Sequence, residues 1–331
     1  MMRREDAASA IVAIVAIVAI AAAPSSARAA DGRPCAEPRR HEWRRALNDH
    51  IFIPSLIVPD PFVPTAFSLL TGGGIADART PPPELAGYRF GDGRYRLASL
   101  AATIGFSAGI TRWLGVRLFG VAAGFGAVGM DAAAAVGGTL FYDALFGLTV
   151  SGPLGRRVRL GLVVDADWGQ ARSVVPRDLL DGGLRAARVQ DLTIDTITRT
   201  SIGVLPGLSV AVAPHAALGL VGTVQAGWER TEDDRTRART DGGTVVVATV
   251  VDLDLRALTR ALPIGFVAAY RARLPFASDE RPSHDAEAGI YYTGRDALAV
   301  GLTARARWFE LRPGVDATAL GGAVILRFFF R

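Results

Sequence analysis

The most constraining feature of this chain is the spacing in its final stretch, GGAVILRFFFR, where Val324, Leu326, Phe328 and Phe330 recur at every second position. Successive side chains of an extended strand point to opposite faces, so one face here is wholly apolar and ends in aromatic rings. Such a strand suits a closed antiparallel sheet in lipid, whose outer side chains meet hydrocarbon while the alternate ones face the interior.

The other end of the chain agrees. Arg3 and Arg4 precede an uninterrupted apolar run, Ala10 to Ala23, followed by Pro24 and the small-residue site Ala27-Arg28-Ala29. This is the layout of a cleaved secretory signal over residues 1–29, and the mature chain is expected to begin near Ala30 or Asp31. No second run of about twenty apolar residues follows, which excludes a helical membrane protein unless the leader itself stays as an anchor.

Twelve strands are expected: Pro64 to Ala78, Arg96 to Ile110, Val116 to Val128, Gly138 to Ser151, Arg157 to Ala171, Thr198 to Val212, Ala217 to Arg230, Thr244 to Arg256, Ile264 to Phe276, Asp285 to Thr293, Ala297 to Phe309 and Thr318 to Phe330. Each exceeds or reaches the roughly 9 to 11 tilted residues that cross hydrocarbon. Connections after the even strands are short. Those after the odd strands are generally longer and more polar, as in Arg79 to Tyr95, Arg172 to Ile197, Thr231 to Gly243 and Ala277 to His284. Short turns at one end and long loops at the other are the asymmetry of membrane barrels. A soluble β-sandwich also alternates, but its strands are shorter.

Register follows from energy. In the fifth strand Val158, Leu160, Leu162, Val164 and Trp168 alternate with Arg157, Arg159, Asp165 and Asp167; the seventh and eleventh behave alike. A slip by one residue would carry arginines into lipid at roughly 2 to 4 kcal/mol each near the midplane. Trp168, Trp228 and Trp308 fall late in their strands and are expected to form an interfacial girdle, with Phe328 and Phe330 in the opposite one.

Residues 30–63 lie outside this ladder. Arg39 to Phe52 has helical character, and Ile53 to Pro64 is interrupted by Pro54, Pro59, Pro61 and Pro64, which cannot lie mid-sheet. The segment is read as a periplasmic lead-in or as a plug entering the barrel. Leu179, Leu180 and Leu184 have helix-like spacing within the Arg172 to Ile197 loop and mark either a short helix or plain loop packing.

All 37 cations are arginine, the formal charge is +5, and the arginines are interleaved with acids. No basic stripe is present, so a nucleic-acid partner is not expected. The inward charges are Asp143, Asp165, Asp167, Glu229, Asp252, Asp254, Arg256, Arg271, Arg273, Arg305, Arg307 and Arg327. Acids concentrate on strands four to eight and arginines on nine to twelve. A segregated lumen of this kind sets up a transverse field that orients a dipolar solute; alternatively the charges pair across neighbouring strands, with Asp252 and Asp254 beside Arg271 and Arg273, and fill the interior. Glycines on the inner face, Gly105, Gly147 and Gly203 among them, leave space or serve curvature.

Chemistry is not indicated. Cys35 is the only cysteine, the four histidines are His41, His50, His215 and His284, and Ser283-His284 occupies adjacent positions that point to opposite faces. Glu232-Asp233-Asp234 reads as a solvated loop, and Gly72-Gly73-Gly74 lacks the lysine and helix of a phosphate loop. No cofactor, metal or catalytic residue is expected.

Taken together, Arg3 to Ala29, the strand ladder and the terminal Val324, Leu326, Phe328, Phe330 pattern resemble Gram-negative outer-membrane β-barrel proteins. The resemblance implies an all-β fold, a transmembrane antiparallel up-and-down β-barrel of about twelve strands over residues 64–331, located in the bacterial outer membrane. It implies outer-membrane lipid, the barrel-assembly machinery and a small solute as partners. Arg331 departs from the pattern, since such chains commonly end on the aromatic itself. The function expected is that of a porin-like channel or transporter for small polar or amphiphilic solutes. The alternatives are a filled barrel acting through its extracellular loops and a lipid-modifying enzyme.

Overall fold

A computed structural model describes residues 45–53, 55–82, 84–85, 88–89, 91–174, 197–234, 237, 239–259, 261–276, 281–312 and 314–330. Twelve long strands make up most of it: β1 Thr65–Arg79, β2 Arg94–Gly109, β3 Leu114–Ala127, β4 Gly138–Pro153, β5 Val158–Val174, β6 Ile197–His215, β7 Leu218–Asp233, β8 Arg239–Asp254, β9 Ile264–Pro275, β10 Ser283–Arg295, β11 Leu298–Arg312 and β12 Val315–Phe330. Each pairs antiparallel with its sequence neighbours, and β12 closes on β1 from Phe330↔Thr65 to Asp316↔Arg79. Closure removes every sheet edge, which a membrane interior requires because no water is there to satisfy unpaired backbone groups.

The two faces separate as the alternation dictates. Along β11, Leu302 is 66% exposed and Trp308 42%, while Thr303 and Phe309 between and beside them are buried. On β12, Val324, Phe328 and Phe330 face out and Ile325 and Arg327 face in. Leu100, Ile104, Leu162, Leu208 and Ile290 continue the outer belt around the wall. So much apolar surface on every side is not a soluble protein's exterior. Trp168, Trp228 and Trp308 are each the eleventh residue of their strand, on the outer face. They form one girdle, and Trp113 with Phe328 and Phe330 belongs to the other end.

Connections alternate as expected, with two differences. β7 continues to Asp233 and β8 begins at Arg239, so most of the expected Thr231 to Gly243 loop is a paired extension held by Arg230↔Asp241 and Glu232↔Arg239. Charged side chains on a strand that has risen beyond the lipid no longer oppose strand formation, which is why polarity alone misplaced this boundary. The β3–β4 connection holds a short helix, α1 (Met130–Ala135). The leucines Leu179, Leu180 and Leu184 lie outside the described residues.

The expected helix over Arg39 to Phe52 is not formed in its described part. Ala46–Leu47 pairs with His50–Ile51 as a two-residue hairpin whose turn residues Asn48 and Asp49 take positive φ, a conformation that short polar side chains tolerate. From this hairpin the chain runs through residues 55–63 with its carbonyls and apolar side chains against strands on several sides. Pro59 O accepts from Ser209 Oγ on β6 at 3.0 Å and from Thr223 Oγ1 on β7 at 2.6 Å. Pro61 O accepts from Arg159 Nε on β5 at 3.0 Å. Asn48 Nδ2 donates to Ala213 O at 3.1 Å, and Arg45 Nη2 donates to Asp296 O in the β10–β11 turn at 2.8 Å. Only the lumen reaches all these strands at once. Prolines, which have no N–H for a ladder, contribute here as acceptors of wall side chains. Leu47, Phe52, Ile53, Ile57, Val58 and Phe62 are buried against inward residues including Leu70, Val250 and Ile325, at roughly 1.5–3 kcal/mol for each large side chain removed from water.

A second apolar cluster occupies the loop end. Ala132 and Ala135 of α1 and Val136 just after it pack with Tyr95, Leu97, Phe309 and Leu311, flanked by Phe125 and Phe141. The lumen between the two clusters is polar.

Candidate functional site in the lumen

Most of the predicted inward charges occupy this middle zone, and the strand pairing decides their partners. Arg271 Nη2 meets Asp285 Oδ2 at 2.9 Å, and Arg307 Nε approaches the other oxygen of the same carboxylate at 3.4 Å. Arg305 Nη2 and Nε donate to Glu287 Oε2 at 2.8 and 3.1 Å, and Arg273 pairs with Glu229. On the opposite wall Asp165 accepts two bonds from Arg117 Nη2, at 2.6 and 2.8 Å, and one from Gln225 Nε2 at 2.8 Å. Arg327 is buried, with Nε donating to Ser68 Oγ at 2.7 Å.

The expected juxtaposition of Asp252 and Asp254 with Arg271 and Arg273 does not form. In the β8–β9 ladder Asp252 lies opposite Val267 and Arg271 opposite Ala248, so these charges are displaced along the strand. Asp252 instead accepts from the Ile53 amide and faces His50 Nε2 at 3.4 Å; Asp254 accepts from Thr293 Oγ1 at 2.9 Å and Arg256 N at 3.0 Å. Arg256 leaves the strand for the 3-10 turn Leu255–Ala257, where Nη1 donates to Thr293 O at 2.8 Å and reaches Asp296 at 3.1 Å. It braces the turn end rather than the middle of the lumen.

Several participants were not among the predicted charges: Arg117, Asp285, Glu287, Asp60 and His50. Asp285 and Glu287 sit on the inward parity of β10, two residues apart, and that signal was legible. Alternation places Arg159 inward, but its contact with Pro61 depends on where residues 55–63 run. Gln225 answers a local defect. The β6–β7 ladder runs through Val204↔Trp228 and resumes at Gly207↔Gln225, with Pro206 between; Leu205 O accepts from Gln225 Nε2 at 3.0 Å.

Exposure separates the partners in each pair. The side chains of Arg307, Arg271, Arg273 and Arg305 are 48, 34, 31 and 30% exposed, whereas Asp285, Glu229 and Glu287 are 14, 14 and 0% exposed. The guanidinium groups therefore face an interior space, with their carboxylates set behind them. Asp143, pointing inward from β4, is exposed to the same space. Inner-face glycines make room for neighbouring side chains: a Cβ on Gly147 would collide with Arg117, one on Gly105 with the Phe119 ring. His284 Nδ1 is 2.8 Å from Tyr270 Oη on the outer face, so it does not converge with Ser283.

A closed antiparallel barrel with an apolar outer belt, aromatic girdles and a charged interior defines a transmembrane protein of the outer-membrane β-barrel class. No family model matches the sequence, and no curated protein matches it. Among solved structures the chain is similar to several barrels at low identity. A FadL homologue from Pseudomonas aeruginosa has 10% identity and a TM-score of 0.47, covering 87% of this chain and 97% of its own. The transport unit of the autotransporter AIDA-I from Escherichia coli has 10% identity and a TM-score of 0.45, covering 86% and 95%. The KdgM porin has 6% identity and a TM-score of 0.40, covering 80% and 99%. These likenesses concern the barrel alone.

Proposed function

We propose that the protein is an outer-membrane channel or transporter for small polar or amphiphilic solutes, with residues 45–63 of its N-terminal segment acting as a plug at the periplasmic end. The observation that carries this reading is the exposure of Arg307, Arg271 and Asp143 inside a closed wall. Inward charges that remain wet need space around them, and a twelve-stranded barrel is wide enough for a narrow path. The arginines of β9 and β11, more exposed than the carboxylates set behind them, look toward acids on β4 and β5, which favours dipolar solutes over apolar ones. Uptake of small zwitterionic solutes by proteoliposomes, with wild type and with a variant that frees residues 45–63, tests the reading; permeability equal to that of protein-free vesicles in both contradicts it.

The cross-strand ion pairs and the buried segment favour a second reading, a filled barrel that acts through its loops. Negligible solute flux in every variant that frees residues 45–63 supports that alternative. No catalytic role is assigned to any residue. Residues 1–29 serve as an export signal in this scheme, and N-terminal sequencing of the exported chain tests it. The Phe328 to Phe330 end is taken to be recognised by the barrel-assembly machinery; its deletion should abolish folded barrel in cells.

A further inference from the structure

We propose that the upper lumen contains a binding site for a small zwitterion with an aromatic or apolar body, which places its ammonium at Asp143 and Asp167 and its carboxylate at Arg307. The proposal rests on the reading of the lumen as a solute path and specifies what that path selects.

The charge ledger of the middle zone does not close. Arg273 with Glu229, Arg305 with Glu287 and Arg117 with Asp165 cancel pairwise. Arg271 and Arg307 share the single carboxylate of Asp285, which leaves one positive charge on that wall. Asp143 and Asp167, on β4 and β5, have no arginine partner among the described residues, and Asp167 Oδ1 is buried without a hydrogen bond. Phe125 touches both Phe141, two residues from Asp143 on β4, and Phe309, two residues from Arg307 on β11, so the two walls face each other across the lumen. A ligand complementary to this arrangement carries a cation toward the acids and an anion toward Arg307.

Local structure shapes the cationic end. A Cβ on Gly169 would lie 2.6 Å from Asp143 Oδ1 and 2.7 Å from Ser201 Oγ, and one on Gly203 would lie 2.6 Å from Asp167 Oδ1. These glycines let two carboxylates and a hydroxyl lie against the wall, a set of acceptors that matches the three donors of a primary ammonium. No group of three His, Cys, Asp or Glu side chains among the described residues is arranged to hold a metal ion.

The apolar end lies one inward step away on both walls. Phe141 precedes Asp143 by two residues on β4, and Phe309 follows Arg307 by two on β11, so each ring stands on the loop side of a charge. Phe125 joins them, its centroid 5.7 Å from Phe141 and 5.6 Å from Phe309. Arg307 itself lies over the Phe309 ring at 4.8 Å. A solute entering from the loop end meets the partly exposed rings of Phe125 and Phe141 at the flank of the apolar cluster first and the charges next, ahead of residues 45–63.

The test uses the full chain in detergent, with heat-modifiable gel migration as the folding control, and measures equilibrium binding of L-phenylalanine, phenethylamine, 3-phenylpropionate and glycine. L-Phenylalanine should bind about tenfold more tightly than either singly charged analogue, as expected when one charged hydrogen-bonding group is lost. Asp143→Asn with Asp167→Asn should weaken L-phenylalanine and phenethylamine about tenfold and spare 3-phenylpropionate; Arg307→Gln should do the reverse. Phe309→Leu, which keeps every charge, should narrow the preference for L-phenylalanine over glycine. Phenylalanine binding that is no tighter than that of its analogues, or that ignores both charge variants, overturns the proposal. Binding without flux in proteoliposomes would keep the site and remove the channel; flux indifferent to these variants would keep the channel and remove the site.

Discussion

His50 Nε2 lies 3.4 Å from Asp252 Oδ2 with both side chains buried, while His50 Nδ1 lies 3.0 Å from the carbonyl oxygen of Ala216. A carbonyl can only accept, so Nδ1 carries a proton. A neutral ring would then aim a lone pair at the carboxylate, and the contact is favourable only when the pair holds one more proton. The Ile53 amide donates to the same oxygen, which ties this segment to β8 through one residue. His50→Ala strands this buried carboxylate and should weaken seating of residues 45–63 by about 3–5 kcal/mol. Hydrogen exchange across the segment reads the loss; unchanged protection would mean that the pair does not hold it.

Asp60 predicts how seating depends on pH. Burial pushes its carboxyl above the usual aspartate range, opposed by the Phe62 amide at 2.9 Å and by Arg117, Arg327 and Arg159. A carboxyl raised on folding contributes fully below its unfolded value, about 3.9, and loses that contribution as pH rises through the raised one. Protection of residues 45–63 should therefore fall as pH increases from about 4 toward neutrality, and Asp60→Asn should flatten the change. Equal pH dependence in both proteins would exclude Asp60 as its source.

Lipid contact at Leu302 makes a sharp test of the outer face. Leu302→Arg should destabilise the barrel in bilayers by roughly 2–4 kcal/mol if its position is near the midplane. The same change on a water-exposed surface stays within about 0.5 kcal/mol. Reversible denaturant unfolding in lipid separates the two.

Arg305 and Arg307 should differ in stability although both point inward from β11. Arg305→Gln leaves Glu287, which is wholly buried, without its guanidinium and should cost about 3 kcal/mol or more. Arg307→Gln leaves Asp285 bonded to Arg271 and should cost about 1 kcal/mol or less. Equal losses would show that the two carboxylates are not distinguished as the geometry requires.

Strand count, closure and facing were legible because an alternation of period two has only two phases, and one of them puts charge in lipid. Leu302, Arg305, Arg307 and Trp308 took their sides for that reason. Partner choice was less legible. Asp252 and Arg271 occupy the proper faces of adjacent strands, but their offset is fixed by the β8–β9 turn and its 3-10 segment, whose geometry periodicity does not reveal. The course of residues 45–63 was hidden for another reason. Pro59, Pro61 and Phe62 meet wall residues 97 to 164 positions away in sequence, and no local pattern encodes such contacts. Pro206 is the converse case: a proline within β6 that the sheet tolerates, with Gln225 supplying a side-chain bond to Leu205 O beside it.

Ion conductance of the full chain in a planar bilayer, compared among wild type, His50→Ala and His50→Ala with Arg307→Gln, tests the plugged channel most directly. A channel closed by residues 45–63 predicts rare openings in wild type and frequent ones in His50→Ala. It also predicts a reversal potential shifted toward cations in the double variant, most strongly at low salt, where a fixed charge is least screened. Currents indistinguishable from those of the bare bilayer in all three proteins, with each one folded, would contradict it and leave a filled barrel.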